Sequence, residues 1–373
     1  MWFKKFSFKD DPYVGRDPFT IPLELIQWNR DDLQQRWNLE QFLDNVVQGY
    51  RVGLKAYGPA GSGKTWLMRY LEKVLTDKLG PDVAVIYGKI FKGDANFPAL
   101  YDTLLRSWSK YQERILAAIA EEAGDTDDKW SDYIGDRDLA ACLWFLKYKG
   151  NKEQVRFCEN WLRGVRVSAS NLAEVNITSS LDKDYRKYFV LRKLFELSSA
   201  SFKTTLLIVD ELENATTTFA RGLGDFMRDM LDSFYEKFAL ACSYTTRAAA
   251  DVLLDWGYGE FLFRRLEWEV KLDPVISEHA PAIFRVHHSA YREERFKGDQ
   301  LLPFTEDGLR KIIQIMEPEQ WYPGFILVNC GVLGRIASEA GVEQIDANFV
   351  DTETSTEGKR GRFPYLSPAP RLM

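Results

Sequence analysis

Histidine and cysteine are both scarce in this chain, with three and four among 373 residues. The cysteines, Cys142, Cys158, Cys242 and Cys330, show no C-x-x-C spacing. That argues against a zinc site and against a disulfide framework, and leaves buried free thiols in a reducing compartment as the expectation. Long apolar runs are missing too: none approaches the roughly 20 residues of a membrane helix. The opening "MWFKKFSFKDDPYVG" has lysines but neither the apolar core nor the small-residue cleavage site of a signal peptide. The expectation is a soluble, cytoplasmic chain with no membrane role. Positive charge is not in excess either. A net charge of −6 argues against a surface that coats nucleic acid throughout, and leaves room for a local basic patch.

What is present is more specific. Residues 56–71 read "AYGPAGSGKTWLMRYL", with the spacing Gly58-x-x-x-x-Gly63-Lys64-Thr65. An apolar alternation precedes it and a helix-forming run follows, so the order is strand, glycine loop, helix. Gly58, Gly61 and Gly63 let such a loop wrap with its N–H groups pointing inward, and the helix N-terminus adds partial positive charge there. The pocket suits a polyphosphate, which makes this stretch a P-loop. Its candidate nucleotide contacts are Gly58, Pro59, Ala60, Gly61, Ser62, Gly63, Lys64, Thr65 and Trp66. Lys64 would reach the β- and γ-phosphates, and the Thr65 hydroxyl would ligate Mg²⁺.

Other segments supply the rest of an α/β unit. Strands are expected at 82–91, in "LLIVDELEN", at 238–246 and at 265–272, separated by helical patterns, which implies a parallel sheet covered on both faces. The division expected is an N-terminal arm over 1–20, lying on the surface or on a neighbour, and a P-loop domain over 21–272. A helical insertion falls at about 123–200, an all-helical domain at 273–350 and a flexible tail at 351–373. Lys147, Lys149, Arg163, Arg166, Lys183, Arg186, Lys187, Arg192 and Lys193 of the insertion would form either a basic face or an ordinary solvated surface.

The strand Leu206-Leu207-Ile208-Val209 delivers Asp210 and Glu211 to the sheet's carboxyl edge, where the glycine loop also lies. Asp210 would hold the hydration shell of Mg²⁺, and Glu211 would polarise an attacking water. Ser243, Thr245 and Thr246 end the next strand, either touching the γ-phosphate or water, or simply closing the strand. Arg264 and Arg265 precede the last strand; they are surface charges, or one of them reaches a neighbouring subunit's nucleotide.

Together these elements resemble the AAA+ ATPases, over about residues 22–350. Walker A is "GPAGSGKT", Walker B "LLIVDE", a sensor-1-like strand "ACSYTT", and "FRR" stands where that class carries its arginine finger. The helical lid, "LLPFTEDGLRKI" followed by "RIASEAGVEQIDANFV", resembles that of replication initiators and the transposition regulator TnsC. "WYPGFIL" departs from that pattern, with Gly324 and no arginine after Pro323; Arg335 or Arg310 would substitute, or the lid would be a passive contact. "CENWLRGVRVSASNLAEVNI" ahead of "LLIVDELEN" resembles BREX-type phage-defence ATP-binding proteins.

The resemblance implies an α/β AAA+ fold and an ATPase that turns ATP into ADP and phosphate with Mg²⁺. Its catalytic residues would be Glu211 and Lys64, with Arg264 or Arg265 acting between the subunits of a homo-oligomer. It implies an assembly on DNA, in phage defence or mobile-element regulation, with DNA or an effector protein as partner. The alternatives are a monomeric STAND-like signalling switch and a loader or adaptor for a partner enzyme.

Overall fold

Five strands form one sheet: β1 (Val52–Gly58), β2 (Val83–Lys89), β3 (Thr204–Asp210), β4 (Phe238–Thr245) and β5 (Trp268–Lys271). Their order is β2-β3-β4-β1-β5, and every pairing is parallel. The computed structural model describes residues 2–13, 23, 33–93, 95–148, 150–246, 252–275 and 277–366.

The interior strands β3, β4 and β1 are buried along nearly their whole length because both of their faces are covered. Along β3, Leu206 and Ile208 enter one core and Leu207 and Val209 the other. On the first face lie α1 (Leu33–Gln48) and α2 (Lys64–Leu79). Facing the second are α3 (Phe97–Trp108), the helix Asp184–Ser201 and the helix Thr217–Ser233.

Both sheet edges are closed by side chains. On β2 the amide of Val85 donates to the Tyr111 hydroxyl and that of Tyr87 to Ser107 Oγ, each at 2.9 Å. On β5 the Lys271 amide donates to Gln35 Oε1 at 2.7 Å, and Asn38 of α1 donates to the Glu269 carbonyl at 2.7 Å. An edge saturated in this way offers no template to another strand.

The segment expected as an insertion shares the sheet's second core. Trp108, Trp130 and Trp161 are buried there, and each indole N–H finds an acceptor: Ser198 Oγ, the Gly124 carbonyl and the Ser179 carbonyl. Its basic residues are largely consumed internally. Arg163 pairs with Asp102 (3.3 Å), Arg186 with Asp136 (2.6 Å), and Arg192 and Lys193 both with Glu196. Lys187 is buried, and Lys149 lies outside the described residues. Four of the nine residues of the expected basic face are thus paired with acids, two of them, Arg163 and Arg186, with acids distant in sequence.

Beyond β5 the chain is helical, with Ala280–Ser289, Glu306–Gln314, Pro323–Ala340 and Ala347–Thr354 around Phe284, Ile312, Ile326 and Leu333. The N-terminal arm belongs to this unit, in place of the surface position expected for it. Phe8 pairs with Arg292 as an antiparallel bridge and is buried beneath that guanidinium, 3.9 Å from ring centre to carbon. Trp2 stacks on Tyr13 at 5.6 Å, and Gly334 and Gly331 leave the space these two rings fill. The tail differs from expectation as well. Glu357–Arg360 is helical, Phe363 is buried, and Tyr365 stacks on Phe325 at 4.4 Å. Apolar burial therefore orders the chain through 366; residues 367–373 lie outside the described residues. The four cysteines are buried free thiols, and no described helix is long and apolar enough to cross a membrane.

Asp138 joins the helix Arg137–Tyr148 to residues 178–179, ahead of the helix Asp184–Ser201. Its buried carboxylate accepts from the Thr178 amide (2.8 Å), the Thr178 hydroxyl (2.9 Å) and the Ser179 hydroxyl. Asp138→Ala strands those donors and should cost about 2 kcal/mol, read as a lower urea midpoint with circular dichroism retained in water; an unchanged midpoint contradicts this role.

Candidate functional site

The loop between β1 and α2 has the shape its glycines require. Gly61 and Gly63 have φ of 77° and 97°, backbone that side-chain-bearing residues rarely adopt. A Cβ on Gly58 would meet the Leu272 carbonyl at 2.8 Å and Ser62 Oγ at 2.9 Å. Gly63 is the residue that starts α2, so the first free amides of that helix open into the loop. That arrangement is an anion site. Lys64 is buried and donates to the carbonyls of Gly58 (2.9 Å) and Pro59 (2.8 Å). Burial lowers its pKa, against the opposing influence of Glu213, Asp210 and Glu211.

Asp210 is the centre of the site. It is fully buried, and its Oδ2 accepts from the Thr65 hydroxyl at 3.0 Å and the Tyr87 hydroxyl at 2.6 Å. Its Oδ1 accepts from the Glu211 amide at 3.0 Å and from Ser243 Oγ. Ser243 therefore serves the carboxylate, and only Thr245 of the hydroxyls ending β4 lines the cavity described below. Thr246 is tied back, its amide donating to the Gly58 carbonyl at 3.2 Å.

Glu211 is held in left-handed backbone, with φ 61° and ψ 48°, a conformation uncommon outside glycine and concentrated at working sites. Its Oε1 meets Lys89 Nζ at 2.9 Å and its Oε2 accepts from Asn214 Nδ2 at 2.9 Å. Asn214 is itself anchored on the Ile90 carbonyl at 2.8 Å. Parallel register explains the pairing, since Lys89 lies opposite Asp210.

A cavity of about 610 Å³ opens between the loop and the helical unit. Loop residues 60–66 floor it, and Ile283, His287, Pro323, Gly324 and Leu327 wall it from the lid side. The lid touches the loop directly: the Gly324 amide donates to the Gly61 carbonyl at 2.9 Å. Gly324 stands in the first turn of Pro323–Ala340, so a helix N-terminus faces the loop where an arginine was sought, supplying partial rather than full positive charge. Neither proposed substitute lines the cavity. Arg335 bonds the Gly331 carbonyl, and Arg310 reaches toward Glu306.

Lys92 and Glu213 both line the cavity, and sequence reasoning had assigned neither. Glu213 Oε2 is buried without a partner among the described residues, which marks a carboxylate oxygen awaiting a donor or a cation. The acid-rich "DELEN" was its only signal. Gly58 and Pro59 act through their carbonyls on Lys64, not as cavity wall. Arg264 and Arg265 end the helix Glu260–Arg265, where they pair with Glu260 and Asp232. The Arg265 carbonyl lies against Gly53, at the end of β1 opposite the loop. The structure thus brings Lys64, Thr65, Asp210 and Glu211 together and keeps both arginines away from this chain's own cavity.

The parallel order β2-β3-β4-β1-β5, with a P-loop after β1, which lies between β4 and β5, and a helical unit closing over it, defines an α/β P-loop fold. It is the AAA+ fold. The chain is similar to Cdc6p from Pyrobaculum aerophilum, with TM-score 0.54 and 14% identity over 95% of this chain and 72% of that one. It is also similar to the Aeropyrum pernix ORC2 protein in its ADPNP–ADP complexes, with TM-score 0.52 and 12% identity over 93% and 72%. No protein-family model matches the chain, and no curated protein matches it.

A Cβ on Gly324 would stand 2.9 Å from Gly61 Cα. Gly324→Val should separate lid and loop, so that amide exchange across Pro323–Ala340 quickens at least tenfold while β3 stays protected. Unchanged exchange would show that the contact does not hold the lid.

Proposed function

We propose that the protein binds ATP with Mg²⁺ in this cavity and hydrolyses it, working as an oligomeric switch in a DNA-associated assembly. The observation that carries the nucleotide half is the 3.0 Å hydrogen bond between Thr65 Oγ1 and Asp210 Oδ2. It joins the first turn of α2 to the end of β3 and offers two hard oxygen donors beside an anion-binding loop, a donor set that suits Mg²⁺. The buried, unpartnered Ser62 Oγ and Glu213 Oε2 are further polar atoms that a bound Mg²⁺–triphosphate and its waters would satisfy.

Thr65 and Asp210 would hold the cation, which would supply positive charge to offset that of the phosphates. Lys64 would exchange its two carbonyl acceptors for phosphate oxygens. Glu211, already oriented by Lys89 and Asn214, would position the attacking water and accept its proton. Arg264 has a side chain 69% exposed and lies away from its own cavity, so a role for it in hydrolysis requires the nucleotide of a second subunit. Such a role would need an oligomer, and the ADPNP–ADP complexes of the similar ORC2 protein support a nucleotide ligand. The phage-defence or mobile-element role rests on the sequence resemblance of residues 158–177 and its neighbouring Walker B.

A second reading, a switch that engages an effector protein without DNA, is favoured by one observation. Three of the insertion's arginines, Arg163, Arg186 and Arg192, are paired with acids, which removes part of the charge a phosphate backbone would attract.

ATP turnover measured against protein concentration, with and without plasmid DNA, tests both. Turnover per subunit should rise with concentration and DNA, fall at least a hundredfold in Glu211→Gln with ATP binding retained, and fall similarly in Arg264→Ala or Arg265→Ala. Flat turnover, indifferent to DNA and to both arginines, would favour the effector-protein switch.

A further inference from the structure

The lid side of the cavity is apolar, formed by Ile283, Phe284, Val286, Pro323 and Leu327, with His287 as the single polar side chain among the described residues there. The Trp66 indole stands edge-on to that imidazole at 6.2 Å and 66°. An apolar slot with one polar group, next to a phosphate loop, suits the base of a nucleotide.

The chemistry of that polar group is fixed by the N-terminal arm. His287 Nε2 lies 2.8 Å from the Pro12 carbonyl, and a carbonyl only accepts, so Nε2 carries the proton. Burial pushes the imidazole pKa down to about 4, which leaves the ring neutral near pH 7 and Nδ1 a bare acceptor. Among the described residues the hydrogen bond of this imidazole runs through Nε2.

Pro12 is itself held in place. The Tyr13 amide donates to Asp11 Oδ1 at 3.0 Å, and the Tyr13 hydroxyl donates to His288 Nε2 at 2.7 Å. His288 can accept there because its Nδ1 donates to the Gln300 carbonyl at 3.1 Å. The arm thus orders one histidine as an acceptor toward Tyr13 and its neighbour as an acceptor left to the cavity.

We infer that His287 selects the base of the bound nucleotide, its Nδ1 accepting from the 6-amino group of adenine and opposing the O6 of guanine. Adenine offers a donor at that position and guanine an acceptor, and a site with a fixed acceptor leaves its lone pair unmatched against O6. The N-terminal arm becomes a positioning element for recognition, since the Pro12 carbonyl sets the tautomer. The inference rests on the nucleotide-binding reading above.

The test is calorimetric titration of the full chain with Mg²⁺ complexes of ATP, GTP and ITP, for wild type, His287→Phe and His287→Gln. Wild type should prefer ATP to GTP and to ITP by about tenfold or more. ITP carries guanine's O6 without its 2-amino group, so this arm isolates the 6-position and needs no substitution. His287→Phe keeps a ring beside Trp66 and should bring ATP and GTP within about threefold, by weakening ATP. His287→Gln offers Pro12 an amide N–H and the cavity a carbonyl oxygen, and should retain the preference for ATP. Equal wild-type affinity for ATP and ITP overturns the inference and leaves the nucleotide-binding reading standing. So does a Phe variant that loses ATP and GTP alike, which would make His287 a shape contact only. Failure of wild type to bind any of the three removes the nucleotide-binding reading itself, and the inference with it.

Discussion

A carboxylate sealed from water is tolerated only when its oxygens are filled with hydrogen bonds, and the arrangement around Asp210 follows from meeting that condition. Its donors come from α2 (Thr65), β2 (Tyr87), β4 (Ser243) and its own following amide. Satisfying one side chain thereby fixes the glycine loop against the ends of three strands. Were β2 to slip by one residue, Tyr87 would turn to the other face of the sheet, and both the Asp210 bond and the Lys89 contact to Glu211 would be lost. The site is therefore as rigid as the sheet's register. Such rigidity suits chemistry that depends on placing charge beside transferred phosphate, not on covalent steps.

The second constraint is that the loop's other side is closed by backbone. Gly324 against Gly61 permits a contact close enough for an amide-to-carbonyl hydrogen bond, and a side chain at Gly324 would crowd it. The described ends of the chain both converge on the lid that makes this contact. Residues 2–13 enter through Trp2, Phe8 and Tyr13, and the C-terminal segment enters through Phe363 and Tyr365, the latter stacked on Phe325 beside Gly324. Lid position is thus linked to both segments by aromatic packing as well as by the direct bond of His287 to Pro12.

Much of this was legible in the sequence where the signal is local. The glycine spacing from Gly58 to Gly63 dictates a loop whatever surrounds it, and the apolar run ending at Asp210 declares a buried parallel strand. Contacts made across the fold were not legible. Lys89 closes a strand without any motif, and only register places it on Glu211. Tyr87 and Ser243 look like ordinary strand residues until they meet at one carboxylate. The arm and tail misled because isolated aromatics in short polar stretches show no period, although Phe8 and Phe363 are buried. The choice left open for the insertion's basic residues was not legible either, because it turns on acids far along the chain: Arg163 finds Asp102, and Arg186 finds Asp136. The absent arginine after Pro323 was visible, but the helix N-terminus that takes its place was not.

The central claim is that Thr65 and Asp210 form the cation-holding edge of a nucleotide site. Its most direct test is the Mg²⁺ dependence of ATP binding, titrated with and without the metal for wild type and for Asp210→Asn, with circular dichroism confirming that both are folded. The account predicts that Mg²⁺ tightens ATP binding at least tenfold in wild type and has little effect in Asp210→Asn. Binding that ignores Mg²⁺ in wild type, or an Asn variant that keeps the full metal effect, would contradict it.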